Sequence, residues 1–240
     1  SNREKFGAYC KTLGTAFGNP LYHWSQVELK EFFGCELEIN EENAEKIWEQ
    51  CNDYIAKNDV TPASLIERSN VKCIVTTNEV FDDLTTFEKI KEKGYKFTVI
   101  PAFRADKIMN IEAEKYNDFI GLLEEKTSKI NDLKDLEAAL ETRLEAFIKV
   151  GCRASDIALE SVYPVADGKL AEEVFLKRRS GKAVTEEEAK EFKGYLTYFL
   201  MKTYAKHNVA TELHVGAMRN NNSVMLKKLG RVDWASAEGL

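Results

Sequence analysis

From residue 71 onward the apolar residues come in two alternating rhythms. The stretch 71–76 (VKCIVT) is a short β-branched run of the kind that fills a buried strand. Residues 82–93 then mix charge and apolarity at helical spacing, and Gly94 closes that helix, since glycine readily takes the left-handed turn past a helix end. FTVIP at 97–101 predicts a second strand, and two helical stretches follow it. In the second of these, Leu133, Leu136, Leu140, Leu144 and Phe147 recur at spacings of three and four, which makes one apolar face on a helix, ended by Gly151. Residues 152–156 (CRASD) form a third strand, inferred mainly from their place after a helix. The rhythm repeats with a helix from near Lys169 to Gly181. The next helix opens with a capping box of Thr185 and Glu188, in which hydroxyl and carboxylate each take a free amide, and runs to about His207-Asn208. A fourth strand at 209–215 (VATELHV) and a helix from about Asn221 complete the pattern.

Strands separated by helices cannot pair as tight hairpins; they favour a parallel sheet with right-handed crossovers. An open doubly wound sheet and part of a (β/α)8 barrel both satisfy this. No GxGxxG or P-loop follows any strand, which counts against the nucleotide-binding version. The expected fold is α/β, a partial (β/α)8 TIM-type barrel over residues 71–240 with a mostly helical N-terminal insertion or lobe at 1–70. That lobe is rich in aromatics (Phe6, Tyr9, Phe17, Tyr22, Trp24, Phe32, Phe33), and is expected to pack on the barrel. One of its helices follows the cap Asn40 and runs through Ile47, Trp48 and Cys51. Another starts at Thr61-Pro62, with threonine as cap and proline in the first turn.

Composition narrows the function classes. A 44% hydrophobic chain can build a core, and a formal net charge of −6 without a basic block disfavours nucleic-acid binding. No run approaches the ~18 apolar residues of a membrane span. Cys10, Cys35, Cys51, Cys73 and Cys152 are scattered, odd in number and without a CxxC pair. They are expected to be structural thiols in a reducing cytoplasm, not a disulfide framework or zinc finger.

In parallel α/β proteins chemistry gathers at the carboxyl ends of the strands. Here those ends carry Thr76, Thr77, Asn78 and Glu79; then Arg104; then Ser155 and Asp156; then His214, followed by Gly216 and Arg219 to Asn222. Two arginines near one mouth suit an anionic ligand, because guanidinium binds carboxylate bidentately. Each residue also has a plainer reading. Arg104 could pair with Asp106, His214 could be a core histidine, Asp156 could cap the next turn, and Asn220-Asn221-Asn222 could simply start a helix. His207 reads as a helix-end residue favoured by the dipole.

Several stretches resemble the uronate isomerases. They are GNPLYHW at 18–24 with Glu28-Leu29, Thr76-Thr77 with Asp82-Asp83-Leu84, the strand ending at Arg104, GCRASD at 151–156, and LHVGA at 213–217 with Arg219-Asn220-Asn221-Asn222. The matches keep order from about Lys5 to Gly230. The resemblance implies an amidohydrolase-like barrel that interconverts glucuronate with fructuronate and galacturonate with tagaturonate. It implies Arg104, His214 and Arg219 as site residues, His214 as the catalytic one, with Asp156 and Thr77 also in contact with substrate.

The chain departs from that family at Asn78-Glu79-Val80, where an aspartate pair and proline are usual, and at Ile157, where histidine is usual. An apolar side chain cannot donate, accept or titrate, so any role of that histidine is lost or moved. The family's HxH metal pair, its His-Tyr pair and its Asp-x-Arg have no counterpart; the histidines are His23, His207 and His214. The expectation is therefore an internal fragment, inactive alone. The divalent metal of the intact family, zinc in this reading, finds no ligands in this chain. The expected partner is a small sugar acid, with no nucleic acid or membrane, and a homo-oligomer is left open. A non-catalytic half-barrel remnant and a different barrel enzyme acting on small anionic metabolites stand as alternatives.

Overall fold

The computed structural model describes residues 1–217 and 222–230. The chain divides into two compact units, Ser1–Lys72 with Tyr95–Phe97, and Cys73–Gly94 with Thr98–Leu240.

The first unit contains α1 (Asn2–Leu13), α2 (Pro20–Phe33), α3 (Ala44–Lys57) and α4 (Pro62–Arg68). The GNP of its signature stretch is a helix start. Gly18 turns with φ +83°, Asn19 Oδ1 accepts the Leu21 amide at 3.0 Å, and Pro20 occupies the first helical position, where no amide is needed. Thr61 and Pro62 open α4 as their chemistry predicts, with Ser64 completing the reciprocal cap. Asn40 sits one turn earlier than expected: its Oδ1 accepts the Asn43 amide, and the helix begins only at Ala44. The core of this unit is Cys10, Leu13, Leu29, Cys35, Ile39, Ala44 and Ile47. Phe6, Tyr22 and Phe33 pack on it, while Phe17 and Trp24 are exposed. Small and aliphatic residues of α1, α2, α3 and the α2–α3 connection, not the aromatics, therefore make up the buried core.

The second unit follows the order β1 (Cys73–Glu79), α5 (Thr85–Glu92), β2 (Thr98–Arg104), α6 (Asp106–Met109), α7 (Tyr116–Lys126), α8 (Leu133–Lys149), β3 (Ile157–Leu159), α9 (Gly168–Arg179), α10 (Glu186–Lys206), β4 (Leu213–Val215) and α11 (Ser223–Leu229). β1 pairs parallel with β2 from Cys73↔Thr98 to Glu79↔Arg104, and β3 pairs parallel with β4. A single parallel bridge, Phe103 to Ser155, joins the two pairs, and another, Ala154 to Ala210, extends the pairing of the β3 and β4 segments. The four strand segments thus lie side by side, parallel, in chain order. All are shifted toward the carboxyl end of the expected runs. Residues 152–156 contribute only the bridges at Ala154 and Ser155, and the third ladder is Ile157–Leu159. Backbone amides make the ladder, so polar Thr76 to Glu79 extend β1 without the apolar pattern that announces a strand.

The predicted stripe of α8 is buried throughout: Leu133, Leu136, Leu140, Leu144 and Phe147. Each such burial contributes about 1.5–3 kcal/mol. Phe147 meets Phe103 of β2 edge-on at 5.1 Å, and Tyr204 of α10 meets the same ring at 6.1 Å. Phe103 is thereby locked against the helices, and the strand's period of two turns its neighbour Arg104 the other way. Gly151 carries φ +109°, and a Cβ there would lie 2.8 Å from Ile100 Cγ2, so only glycine fits this entry to the third segment. The capping box of α10 is present: Glu188 N donates to Thr185 Oγ1 at 3.2 Å and Thr185 N to Glu188 Oε2 at 2.7 Å. Cys10, Cys35 and Cys152 are buried thiols, Cys51 is partly buried and Cys73 is exposed. No helix among the described residues is long and apolar enough to cross a membrane.

Candidate functional site

The carboxyl ends of the parallel strands converge on Asp156, just ahead of β3. Its backbone is fixed on both sides, since its amide donates to Phe103 O at 3.1 Å and the Ser155 amide to Ala210 O at 2.8 Å. Thr77, two residues from the end of β1, donates its hydroxyl to Asp156 Oδ2 at 2.8 Å. Arg104 Nη1, at the end of β2, lies 3.7 Å from the same oxygen. His214, in the middle of β4, brings Nε2 to 3.0 Å from Asp156 Oδ1. That approach lacks hydrogen-bond alignment and leaves the buried Oδ1 without a hydrogen-bond partner. Thr77, Arg104, Asp156 and His214 are therefore brought together from four strand segments. Arg219, together with Asn220 and Asn221, lies outside the described residues.

The plainer readings fare unevenly. Asp156 caps no turn; the next helix, α9, is capped by Asp167. His214 is not a core histidine, because its side chain is 54% exposed. Arg104 does pair with Asp106, through Nε at 2.7 Å and Nη2 at 2.6 Å. Asp106 is more than a loop partner: its Oδ1 accepts the Ala158 amide at 3.1 Å and ties α6 to β3. Burial raises its pKa, against the lowering effect of the Ala158 amide and Arg104. Asn222 caps α11 through the Met225 amide, as a helix-starting asparagine does. His207 caps the carboxyl end of α10, with Nε2 2.8 Å from Glu141 Oε1. Ile157, the departure at the family's histidine position, is fully buried in the apolar core.

Two further groups complete the mouth. Glu79 ends β1; its Oε1 lies 3.6 Å from Lys107 Nζ, and its Oε2 is enclosed without any hydrogen-bond partner. Burial pushes the carboxyl up to about 7, with Lys107 and Arg104 opposing. Lys107 is held in turn by the stacked rings of Phe81 and Phe119, its Nζ 5.5 Å from each centroid. Sequence reasoning placed Glu79 at a strand end without its environment and passed over Lys107. The only local signal was the Arg-Ala-Asp-Lys run directly after the strand.

The same geometry tests for a metal. Among the described residues the one grouping of three ligand types with atoms mutually within 4.8 Å is Glu141, Glu145 and His207. Glu141 and Glu145 lie on α8 and His207 caps the carboxyl end of α10, so the group shares no residue with the cluster around Asp156. Glu141 Oε1 there already meets Lys206 Nζ at 2.6 Å. Among the described residues no such grouping lies around Asp156. A small cavity lined by Asp82, Asp83, Glu88, Lys126 and Arg143 is separate from the cluster around Asp156. Arg143 spends its guanidinium there on the carbonyls of Val80 and Asp82.

A family model described as glucuronate isomerase matches residues 1–235. A uronate isomerase of Caldanaerobacter subterraneus subsp. tengcongensis is 44% identical over 230 residues, 95% of this chain and 49% of the relative. One of Clostridium perfringens is 40% identical over 96% of this chain and 50% of its own length. The crystal structure of uronate isomerase from Thermotoga maritima superposes with a TM-score of 0.89 at 30% identity, covering 96% of this chain and 51% of that one. Glucuronate isomerase from Caulobacter crescentus, at 24% identity, shares the fold with a TM-score of 0.87. The chain spans about half the length of the curated relatives it matches. With a family match over nearly every residue and a parallel α/β fold in common, the chain belongs to the glucuronate isomerase family.

Proposed function

We propose that this chain forms the substrate-carboxylate side of a uronate isomerase, which interconverts glucuronate or galacturonate with the corresponding ketose acid on a (β/α)8-type barrel. The observation that carries the reading is the convergence of Thr77, Arg104 and His214 on Asp156 at the carboxyl ends of parallel strands. Aldose–ketose isomerisation moves a proton between adjacent carbons through an enediolate. It needs a base near that proton, donors for the developing oxyanion, and a cation that fixes the sugar by its carboxylate. Arg104 supplies the cation; Nη1 is the part of its guanidinium not spent on Asp106. His214 is exposed and is held beside a carboxylate, the setting of an imidazole that accepts and returns a proton. Asp156 orients both, Thr77 fixes Asp156, and Arg219 adds a second cation. The divalent metal implied by the family, zinc in this reading, has no ligand assigned among these residues. The partner is a small sugar acid, not nucleic acid or membrane, in a cytoplasmic setting consistent with five free thiols; self-association completes the proposal.

The test is glucuronate turnover by the intact isomerase containing this chain. Arg104→Ala should raise KM about 10- to 150-fold, the loss of a charge-assisted hydrogen bond. Arg104→Lys should restore it only in part, because lysine lacks the planar fork. The 240-residue chain alone should turn over no glucuronate. Unchanged KM in Arg104→Ala would remove the carboxylate-holding role.

A further inference from the structure

We infer that Glu79 couples the binding of a sugar-acid anion at this mouth to the uptake of one proton. The inference rests on the function proposed above and adds a residue that does not itself touch the ligand. Glu79 is a positioning residue that acts through Lys107 and Arg104.

The charges around it are unevenly matched. β1 and its following turn contribute Glu79 and Asp82; the end of β2 and α6 contribute Arg104, Asp106 and Lys107; the β3 segment contributes Asp156. Arg143 of α8 faces Asp82, and His214 of β4 stands between Asp156 and Glu212. Four carboxylates, Glu79, Asp82, Asp106 and Asp156, thus stand against Arg104 and Lys107, while Arg143 is shared by Asp82 and Asp83 on the side of the separate cavity. The carboxylates at the mouth outnumber the cations when every carboxyl is ionised, which opposes an incoming anion. Three of the four carboxylates each accept hydrogen bonds from direct donors. Asp82 Oδ2 accepts the Glu79 amide at 3.0 Å and Asn78 Nδ2 at 3.2 Å. Asp106 accepts Arg104 and the Ala158 amide, and Asp156 accepts Thr77. Glu79 has no such donor: one oxygen is enclosed and bare, and the other meets only Lys107 at 3.6 Å.

Glu79 is therefore the group that yields. Its carboxylate takes a proton from solvent and becomes a neutral acid, with no other bond made or broken. Lys107 is then released from the one carboxylate it pairs with among the described residues, while the Phe81 and Phe119 rings keep it in place. The cation so uncovered, beside Arg104, is what an arriving carboxylate meets. Burial already pushes Glu79 up to about 7, so the exchange falls in the neutral range. By linkage, the anion that prefers the protonated form must in turn make that proton harder to remove.

The experiment titrates D-glucuronate and D-gluconate into the protein by calorimetry in buffers of different ionisation enthalpy, between pH 6 and pH 8. It is paired with 13C-carboxyl NMR of glutamate-labelled protein, whose wild-type readout does not depend on a variant folding. The expected result is net proton uptake on binding, affinity falling about fivefold from pH 6 to pH 8, and a Glu79 midpoint moving up by about one unit when ligand is added. Glu79→Gln should abolish the uptake and flatten the pH dependence of affinity. Binding without proton exchange, or the same uptake in Glu79→Gln, overturns the inference and leaves the isomerase proposal standing. Gluconate binding with uptake while glucuronate does not bind supports the inference and overturns the uronate reading. A Glu79 midpoint at the ordinary glutamate value, or no binding of either anion, overturns the inference outright.

Discussion

Glu79 should make the stability of this protein fall as pH rises, and Glu79→Gln should remove that dependence. The carboxyl moves from 4.5 to about 7 on folding because one oxygen is enclosed without a partner and the other has only a 3.6 Å contact with Lys107. A folded-state pKa above the unfolded one means that the native protein holds the proton more tightly. The stability from this group is fully present below pH ~4.5, declines as pH rises, and is lost once pH passes about 7. At about 1.4 kcal/mol per unit, the shift corresponds to roughly 3 kcal/mol. Solvent reaches 19% of the side chain, so about 2–3 kcal/mol is the expected measured size. Urea unfolding followed by circular dichroism at pH 4.5, 6, 7 and 8.5 reads it directly. The difference between wild type and Glu79→Gln isolates this carboxyl, because the other acids titrate alike in both proteins. That difference should shift against the wild type by about 2–3 kcal/mol from pH 4.5 to pH 8.5. A difference flat to within about 0.5 kcal/mol would mean that Glu79 is solvated like a surface acid, and the reasoning from its bare oxygen would fail.

Two further outcomes follow from packing. Gly194 lies inside α10, where alanine is intrinsically better by about 1 kcal/mol, yet a Cβ there would sit 2.1 Å from Pro164 O, a backbone atom. Gly194→Ala should therefore destabilise by about 1–2 kcal/mol in urea unfolding, the overpacking cost exceeding the helical gain, and a stabilised variant would refute this. Lys193 is 5% exposed and reaches Glu112 at 2.5 Å and Glu160 at 3.5 Å, partners that are 43% and 70% exposed. Lys193→Met should change stability by less than about 1 kcal/mol, since both glutamates keep their water, while amide exchange in residues 160–167 speeds up; a loss above about 3 kcal/mol would show a pair that water does not replace.

What could be read from the chain was local. The α8 stripe from Leu133 to Phe147, the box of Thr185 and Glu188, and the Thr61-Pro62 start all depend on residues within a turn or on one face of one helix. The rule that chemistry gathers at strand ends then pointed to Thr77, Arg104, Asp156 and His214 before any coordinates. Strand limits were less legible, because polar residues such as Asn78 and Glu79 join a ladder through their amides and leave no apolar trace.

The sequence by itself determined the alternation of strands and helices, most helix starts and stops, and the family, since these rest on side-chain period, cap chemistry and motif identity. Only the tertiary structure decided how the polar residues are paired. Thr77 reaches Asp156 across 79 positions and Lys193 reaches Glu112 across 81. It alone shows that Arg104 divides itself between Asp106 and Asp156, and that Glu79 is left with a bare oxygen. The physical reason is that a charge's environment is set by what folding brings within a few ångströms and by how much water it removes. Neither quantity is a function of neighbouring letters in the chain.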